Sequence, residues 1–327
     1  MRAYLARRFL YMLLMMLMAS VVSFAVITLP PGDYMTSYIM RLKAQGQDVG
    51  LEEELALRRQ YGLDQPLPVQ YLKWVTRFIQ GNMGRSFEYN RPVTEVLGPR
   101  ISMTMVVSIA SLIFTYIVAI PIGIYSALHQ YSIGDYVFSI VGFAGVSVPN
   151  FLLALVLMVF AYRTFGVSIG GLFSLEYVDA PWNWAKIVDL LRHLPIPLVV
   201  IGLSGTAWLQ RVMRATLLDE IHKPYVQTAR AKGLTEGKVL TRYPIRVALN
   251  PIASTIGWQL PNIFSGSTIV AIVLDLPTIG PVLLRALMTE DMFLAASTVM
   301  ITTALTLVGT LLSDLLLAWL DPRIQYT

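Results

Sequence analysis

The sequence predicts an all-α polytopic membrane protein with six transmembrane helices and a small helical extracytoplasmic subdomain. Three observations carry that expectation. Of 327 residues, 55% are hydrophobic and 14% charged, against roughly 45–50% and about 25% in soluble domains. Six separate segments are apolar over the ~20 residues needed to cross a hydrocarbon core. Basic residues are also unevenly divided among the segments that join them, as the positive-inside rule requires.

The first expected span is Phe9–Leu29, after Arg2, Arg7 and Arg8. Its apolar run is longer than a secretory leader needs, and no small-residue cleavage site follows, so it is read as retained. Residues 30–100 form a long loop with its own helical pattern. Leu51–Gln60 sets Leu51, Leu55 and Leu57 among glutamates, and Val69–Ile79 places Trp74 and Phe78 at i,i+4. These aromatics either pack within a small ordered subdomain or anchor at the membrane surface. The remaining spans are Ile101–Leu128, Val137–Tyr162, Leu194–Leu209, Pro251–Leu276 and Ala295–Leu320. The fourth is the shortest and is expected to continue as helix into the basic stretch after it. The organisation is therefore residues 1–29 as start and first span, 30–100 as external subdomain, 101–320 as a five-helix core and 321–327 as a tail, with a long basic loop at 211–250.

With the amino terminus inside, the inner segments hold twelve lysines and arginines and the short outer loops hold four, Arg163, Lys186, Arg192 and Arg285. Both termini and the 211–250 loop are thus expected in the cytoplasm. The net charge of +5 reflects those loops rather than a nucleic-acid partner; the partner that composition implies directly is membrane lipid.

Several function classes are disfavoured. Five spans have no ionisable residue in the middle; Asp275 and Asp314 sit near span ends. A carrier driven by protons or sodium usually needs an acidic or histidine relay across the membrane. A phosphate-cradling loop is missing, since Gly237-Lys238 is followed by Val239 and has no glycine five residues before it. There is no cysteine, and the three histidines, His129, His193 and His222, do not converge on a metal. Gly202-Leu203-Ser204-Gly205 resembles the nucleophile motif of rhomboid-type intramembrane proteases, but no histidine base follows residue 222. The reading is a transport subunit with no catalytic residues, no metal and no energy source of its own.

Polar residues recur at helical spacing along three spans: Thr104, Ser108, Ser111 and Thr115 in the second, Thr255, Gln259 and Asn262 in the fifth, and Thr302, Thr306 and Ser313 in the sixth. Such stripes line a water-filled path or let helices pack closely. The fifth favours the path, because Gln259 and Asn262 are costly to bury unsatisfied; Ser108 and Ser111 are candidates with Thr255, Gln259 and Asn262. Pro149 and Pro261 are expected to kink the third and fifth spans, as hinges of a gate or as packing features. Pro277 and Gly280 mark a turn beyond the fifth.

The stretch Tyr225-Val226-Gln227-Thr228-Ala229-Arg230-Ala231-Lys232-Gly233-Leu234 lies between the fourth and fifth spans. On a helix, Val226, Ala229 and Gly233 share a narrow face of small groups. Gly233 is placed to end the helix, Thr235 to cap a second one, and Pro244 to bend or end that. A basic loop can rest on anionic lipid, but lipid contact rewards large apolar residues; a small-residue face suits close approach by a protein partner.

This run resembles the cytoplasmic "EAA" loop of permease subunits of binding-protein-dependent ABC importers. The resemblance is closest to the oligopeptide, dipeptide and nickel permease group and to its B-type subunit. It extends along nearly the whole chain, through Leu29-Pro30-Pro31-Gly32-Asp33, Tyr61-Gly62-Leu63-Asp64-Gln65-Pro66-Leu67-Pro68-Val69-Gln70-Tyr71-Leu72, Gly84-Arg85-Ser86-Phe87 and Leu320-Asp321-Pro322-Arg323. The resemblance implies a type I importer fold in the bacterial or archaeal cytoplasmic (inner) membrane. It implies a second homologous permease, two ATPase subunits and an extracytoplasmic solute-binding protein as partners. No cofactor is implied in this chain, ATP and magnesium being held by the ATPases. Gln227, Thr228, Ala229 and Gly233 fill the E-A-A-x-x-x-G positions of the coupling helix, so Tyr225–Arg230 and Lys232–Leu234 are expected to dock on a motor subunit. Gln227 replaces the acidic residue of that motif, and Tyr243, Ile245 and Arg246 replace its I-x-L-P tail. Ala271 and Pro277-Thr278-Ile279-Gly280 stand where related permeases often have an acidic residue and P-G-L-G. The expected cargo is oligopeptides or solutes of similar size, with oligosaccharides as the alternative. A stand-alone secondary transporter or channel is the reading of a different class.

Overall fold

The computed structural model describes residues 2–28, 64–165 and 170–320, with Ile39, Gly50, Glu52, Leu55 and Arg59 as isolated positions. The Leu29–Asp33 motif, most of the expected helix at 51–60, the turn at 61–63 and the tail at 321–327 lie outside the described residues.

Among the described residues the chain is helical apart from one two-stranded hairpin. In order the elements are α1 (Arg2–Thr28), α2 (Leu67–Ile79), β1 (Arg85–Ser86), β2 (Arg91–Pro92), α3 (Val93–Leu128), α4 (Ile133–Ser147) and α5 (Asn150–Phe165). After a short 3-10 turn at Leu175–Tyr177 come α6 (Trp184–His193), α7 (Pro195–Ile221), α8 (Pro224–Ala231) and α9 (Glu236–Arg242). The chain continues through α10 (Pro244–Val273), α11 (Ile279–Met288) and α12 (Met292–Leu320). Four helices are long and apolar enough to cross a membrane among the described residues, namely α1, α3, α7 and α12. The number is five if α4 and α5 together make one broken span. The expected fifth span is helical within α10, although the side chains of 257–258, 260–261 and 264–266 lie outside the described set.

The expected third span is corrected by the structure. Val137–Tyr162 is two helices, α4 and α5, meeting at 109°. Pro149 sits at the break rather than inside a kinked helix. It supplies no N–H to the turn before it, and it forces the residue ahead of it out of the helical region. Val148 accordingly is extended, with φ −89° and ψ 124°. The fourth span, by contrast, continues as helix to Ile221, so α7 is 27 residues long.

The described residues divide into two compact units, one from segments 1–103 and 278–307, the other from 104–277 and 308–326. In the first unit, Trp74 of α2 is buried with Ala296 and Met300, against Met16, Ala19 and Phe24 of α1. Trp74 and Phe78 lie 5.8 Å apart, and Tyr71 donates or accepts a 2.7 Å bond with Ser20. These aromatics thus pack on α1 and α12 rather than within a subdomain made of 30–100 alone.

The Gly84-Arg85-Ser86-Phe87 stretch has its reason in the same unit. Asp291 precedes α12 and is 1% exposed. Its carboxylate accepts from the Ser86 hydroxyl at 2.6 Å and from the amides of Phe87 and Glu88 at 2.9 and 3.1 Å. It also caps α12 by accepting from the Leu294 amide at 3.1 Å. Gly84 has φ +82°, and a Cβ there would stand 2.9 Å from the Phe293 ring. Glycine is needed on both counts.

In the second unit, α7 is the central element. Leu209, Met213 and Leu217 are fully buried against Ala119 of α3 and Ala248 and Ile252 of α10. Where lipid surrounds helices, such contacts gain from close packing rather than from leaving water. Gly123 shows how close: a Cβ would lie 2.6 Å from Met213 Cβ and 2.9 Å from the Gln210 carbonyl. Arg214 of α7 makes a bidentate pair with the buried Asp135 of α4, at 3.0 and 2.8 Å. In α6, Asp189 accepts from the Ser174 amide and hydroxyl at 2.8 and 2.7 Å. Burial works against its charge, but these two bonds hold the carboxyl below its usual value.

Candidate functional site

Residues 223–243 form a two-helix elbow within the second unit. Lys223 precedes α8, and Pro224 starts it where a missing N–H costs nothing. The helix stops because Gly233 takes φ +76°, with its amide bonded to the Arg230 carbonyl at 2.9 Å. α9 then begins after Thr235. The Thr235 position is as expected, but its side chain makes no capping bond. Pro244 starts α10 rather than bending α9.

The faces of the elbow are arranged differently from expectation. Val226 is 0% and Ala229 4% exposed, packed on Val239 with Leu234 and Tyr243 beside them. The small-residue face is therefore the inner face of the elbow, and it turns towards α9 rather than outward. An eight-residue helix cannot hold a corner by itself, so its apolar side is committed to that role. Tyr225, Gln227, Thr228, Arg230, Lys232 and Gly233 are exposed. A Cβ built at Gly233 would meet nothing within 4 Å, so the constraint there is backbone conformation alone.

Five polar contacts fix the outer face. Arg230 and Glu236 pair across the corner, at 2.7 Å from Nη2 and 3.1 Å from Nε. That bond raises the guanidinium's affinity for its proton and holds the Glu236 carboxyl below its usual value. Tyr225 donates to Glu220, which also pairs with Lys223. Partial burial, with the Glu220 carboxylate beside it, pushes the Tyr225 phenol up to about 12. Gln227 donates to the His222 carbonyl at 3.2 Å, and the Thr228 hydroxyl to the Pro224 carbonyl at 2.9 Å.

The candidates for a solute path separate. Gln259 and Asn262 of α10 line a cleft of about 340 Å³ within the second unit. Thr255 does not line it; it is buried and paired with the Tyr116 hydroxyl at 2.6 Å. Ser108 and Ser111 are 1% and 0% exposed and lie outside the lining. Thr115 of the same stripe does line the cleft, while beside it a Cβ on Gly202 would stand 2.8 Å from the Phe114 ring and 3.1 Å from the Thr115 hydroxyl. Gly202 is thus a close-packing glycine of the kind membrane helices use. Pro261 lies within a helix that is unbroken from Pro244 to Val273. Pro277 and Gly280 lie at the α10–α11 connection, Gly280 in the first turn of α11.

Sequence reasoning missed the α7 side of the cleft, formed by Ser204, Gly205, Trp208 and Arg211. The signal was present, because 204, 208 and 211 fall on one helical face once the helix continues past Leu209. Asn150, just beyond the Pro149 break, joins from α5.

Comparison with known proteins gives this geometry its class. Residues 119–326 match the model of the binding-protein-dependent transport system inner membrane component family, and residues 1–110 match its N-terminal region model. A putative peptide permease protein of Brucella ovis is 35% identical over 326 residues, 99% of each chain. The oligopeptide transport system permease protein AppB of Bacillus subtilis is 33% identical over 328 residues, all of both chains. Among solved structures, the inward-facing methionine ABC transporter MetNI aligns with a TM-score of 0.52 at 14% identity, over 70% of this chain and 97% of that one. The chain belongs to the binding-protein-dependent transport system inner membrane component family. It is a permease subunit of an ABC importer, a transport component of the inner membrane rather than an enzyme.

Proposed function

We propose that the chain forms half of the translocation path for oligopeptides, beside a second homologous permease. Six spans place both termini and the 223–243 elbow in the cytoplasm. A solute-binding protein delivers cargo from outside. Two partner ATPases, which hold the ATP and magnesium, drive the cycle by pulling on the elbow. Full-length similarity to proteins named as peptide and oligopeptide permeases supports the cargo, and the excess of basic residues in the expected inner segments supports the orientation.

The single observation that carries the coupling role is the construction of the elbow. A small core of Val226, Ala229 and Val239 stiffens it from within. Tyr225, Gln227, Thr228, Arg230 and Lys232 stay exposed, where a motor subunit can grip them. A rigid connector of this kind transmits a displacement to α7 and α10, which it joins directly.

Gly233→Trp tests the reading. The open space around Gly233 means that the indole projects outward rather than into the elbow core. The complex of this chain, its partner permease and the ATPases is reconstituted in vesicles with its binding protein. ATP-driven peptide uptake should be abolished while the variant still inserts and co-purifies with its partner permease. Full uptake by Gly233→Trp would end the docking assignment.

A further inference from the structure

On the reading that this subunit passes peptides, the cleft between α7 and α10 has a chemistry of its own. Gln259 is 5% exposed, yet its Nε2 has no hydrogen-bond partner. It is aimed across the cleft, since a Cβ on Gly205 of α7 would stand 3.5 and 3.6 Å from its two amide atoms. An amide N–H buried without an acceptor is costly, so it points to a bound acceptor. Arg211 lines the same cleft ten residues along α7 from Ile201, which lines it too. Its Nε donates to the Ala207 carbonyl at 3.2 Å, and its guanidinium lies 5.4 Å from the Phe143 ring centre. Among the described residues no carboxylate pairs with it. The contrast with Arg214, three residues on and locked to Asp135, is direct. Arg211 is exposed at the edge of the cleft, so its guanidinium is open to a visiting anion.

We propose that Arg211 and Gln259 form a transient station for a carboxylate of the passing solute, the free C-terminus of a peptide being the group of that class. Both donors line one cleft from different helices, and one of them is charged, which suits an anionic acceptor. The neutral remainder of the solute lies along Ser204, Trp208 and Asn262. Trp208 offers an indole surface and Ser204 a hydroxyl, without selecting a side chain.

The test uses the purified complex with its partner subunits, without the binding protein, so that any discrimination belongs to the membrane part. Tri-alanine and tri-alanine amide are titrated against it by calorimetry. The wild type should bind the free acid at least about tenfold more tightly than the amide, a difference of the size that one charge-assisted hydrogen bond supplies. Arg211→Gln should erase that preference by weakening the acid alone, Arg211→Lys should restore part of it, and Gln259→Leu should weaken the acid. Equal binding of acid and amide by the wild type, no binding of either, or an unchanged preference in Arg211→Gln would each overturn the station. Uptake in vesicles separates this from the broader reading. If the wild-type complex takes up peptides under ATP but shows no acid preference, the station falls and the importer assignment stands; if it takes up no peptide at all, the cargo assignment falls as well.

Discussion

The corner at Gly84 and the corner at Gly233 are built oppositely. At the first, polar groups turn inward: the 1% exposed Asp291 carboxylate accepts from one hydroxyl and three amides. At the second, apolar groups turn inward and polar groups stay in the open, with Val226, Ala229 and Val239 as the whole buried core. A carboxylate whose acceptor capacity is met within the fold has little to offer a visitor. A small elbow with exposed side chains around it has more. The comparison separates a place where the chain is fixed from a place where it is handled.

The largest effect should come from breaking the fixed corner. Asp291→Ala leaves Ser86 and the amides of Phe87, Glu88 and Leu294 buried without their acceptor, which should cost about 3–5 kcal/mol. Thermal unfolding of the purified complex should show a large fall in the midpoint. An unchanged midpoint would mean that the corner is not a closed unit. A smaller, local effect is expected at the elbow. Val239→Ala should loosen it by about 2 kcal/mol, seen as faster hydrogen exchange at 226–243 with exchange in α7 unaltered. If α7 loosens equally, the elbow and the bundle are one cooperative body and the contrast disappears.

The smallest effect belongs to the exposed pair across Gly233. Arg230 holds the Glu236 carboxyl below its usual value, so the folded value lies under the unfolded one. The pair's contribution is therefore complete at neutral pH and remains so down to the ordinary glutamate value of about 4.3. It disappears only as pH falls through the lowered folded value. A carboxyl-shift titration of Glu236 should give a midpoint under that ordinary value, returning to it in Arg230→Ala with no measurable change in global stability.

Helices were legible because lipid demands long apolar runs, and Gly233 was legible because a helix end needs a residue that tolerates positive φ. The continuation of α7 past Leu209 followed from the same periodicity. What spacing cannot give is direction. Val226, Ala229 and Gly233 were placed on one face, but an amphipathic eight-mer does not state whether its small face turns to the chain itself or to a partner. Nor does a proline state an angle: Pro149 reads as a bend, and only the extended Val148 turns a bend into 109°. Ser86 and Asp291 lie 205 residues apart, and no local pattern links them. Ser108 and Ser111 stood open between path and packing because a hydroxyl stripe has the same spacing whether it meets water or another helix.

The break at Pro149 also shapes the cleft. Proline offers nothing to the Gly145 carbonyl, and inside hydrocarbon a bare carbonyl is tolerated only beside protein or a water-filled space. Val146 and Asn150, on either side of the break, both line the cleft, so the bent pair borders it with both of its arms.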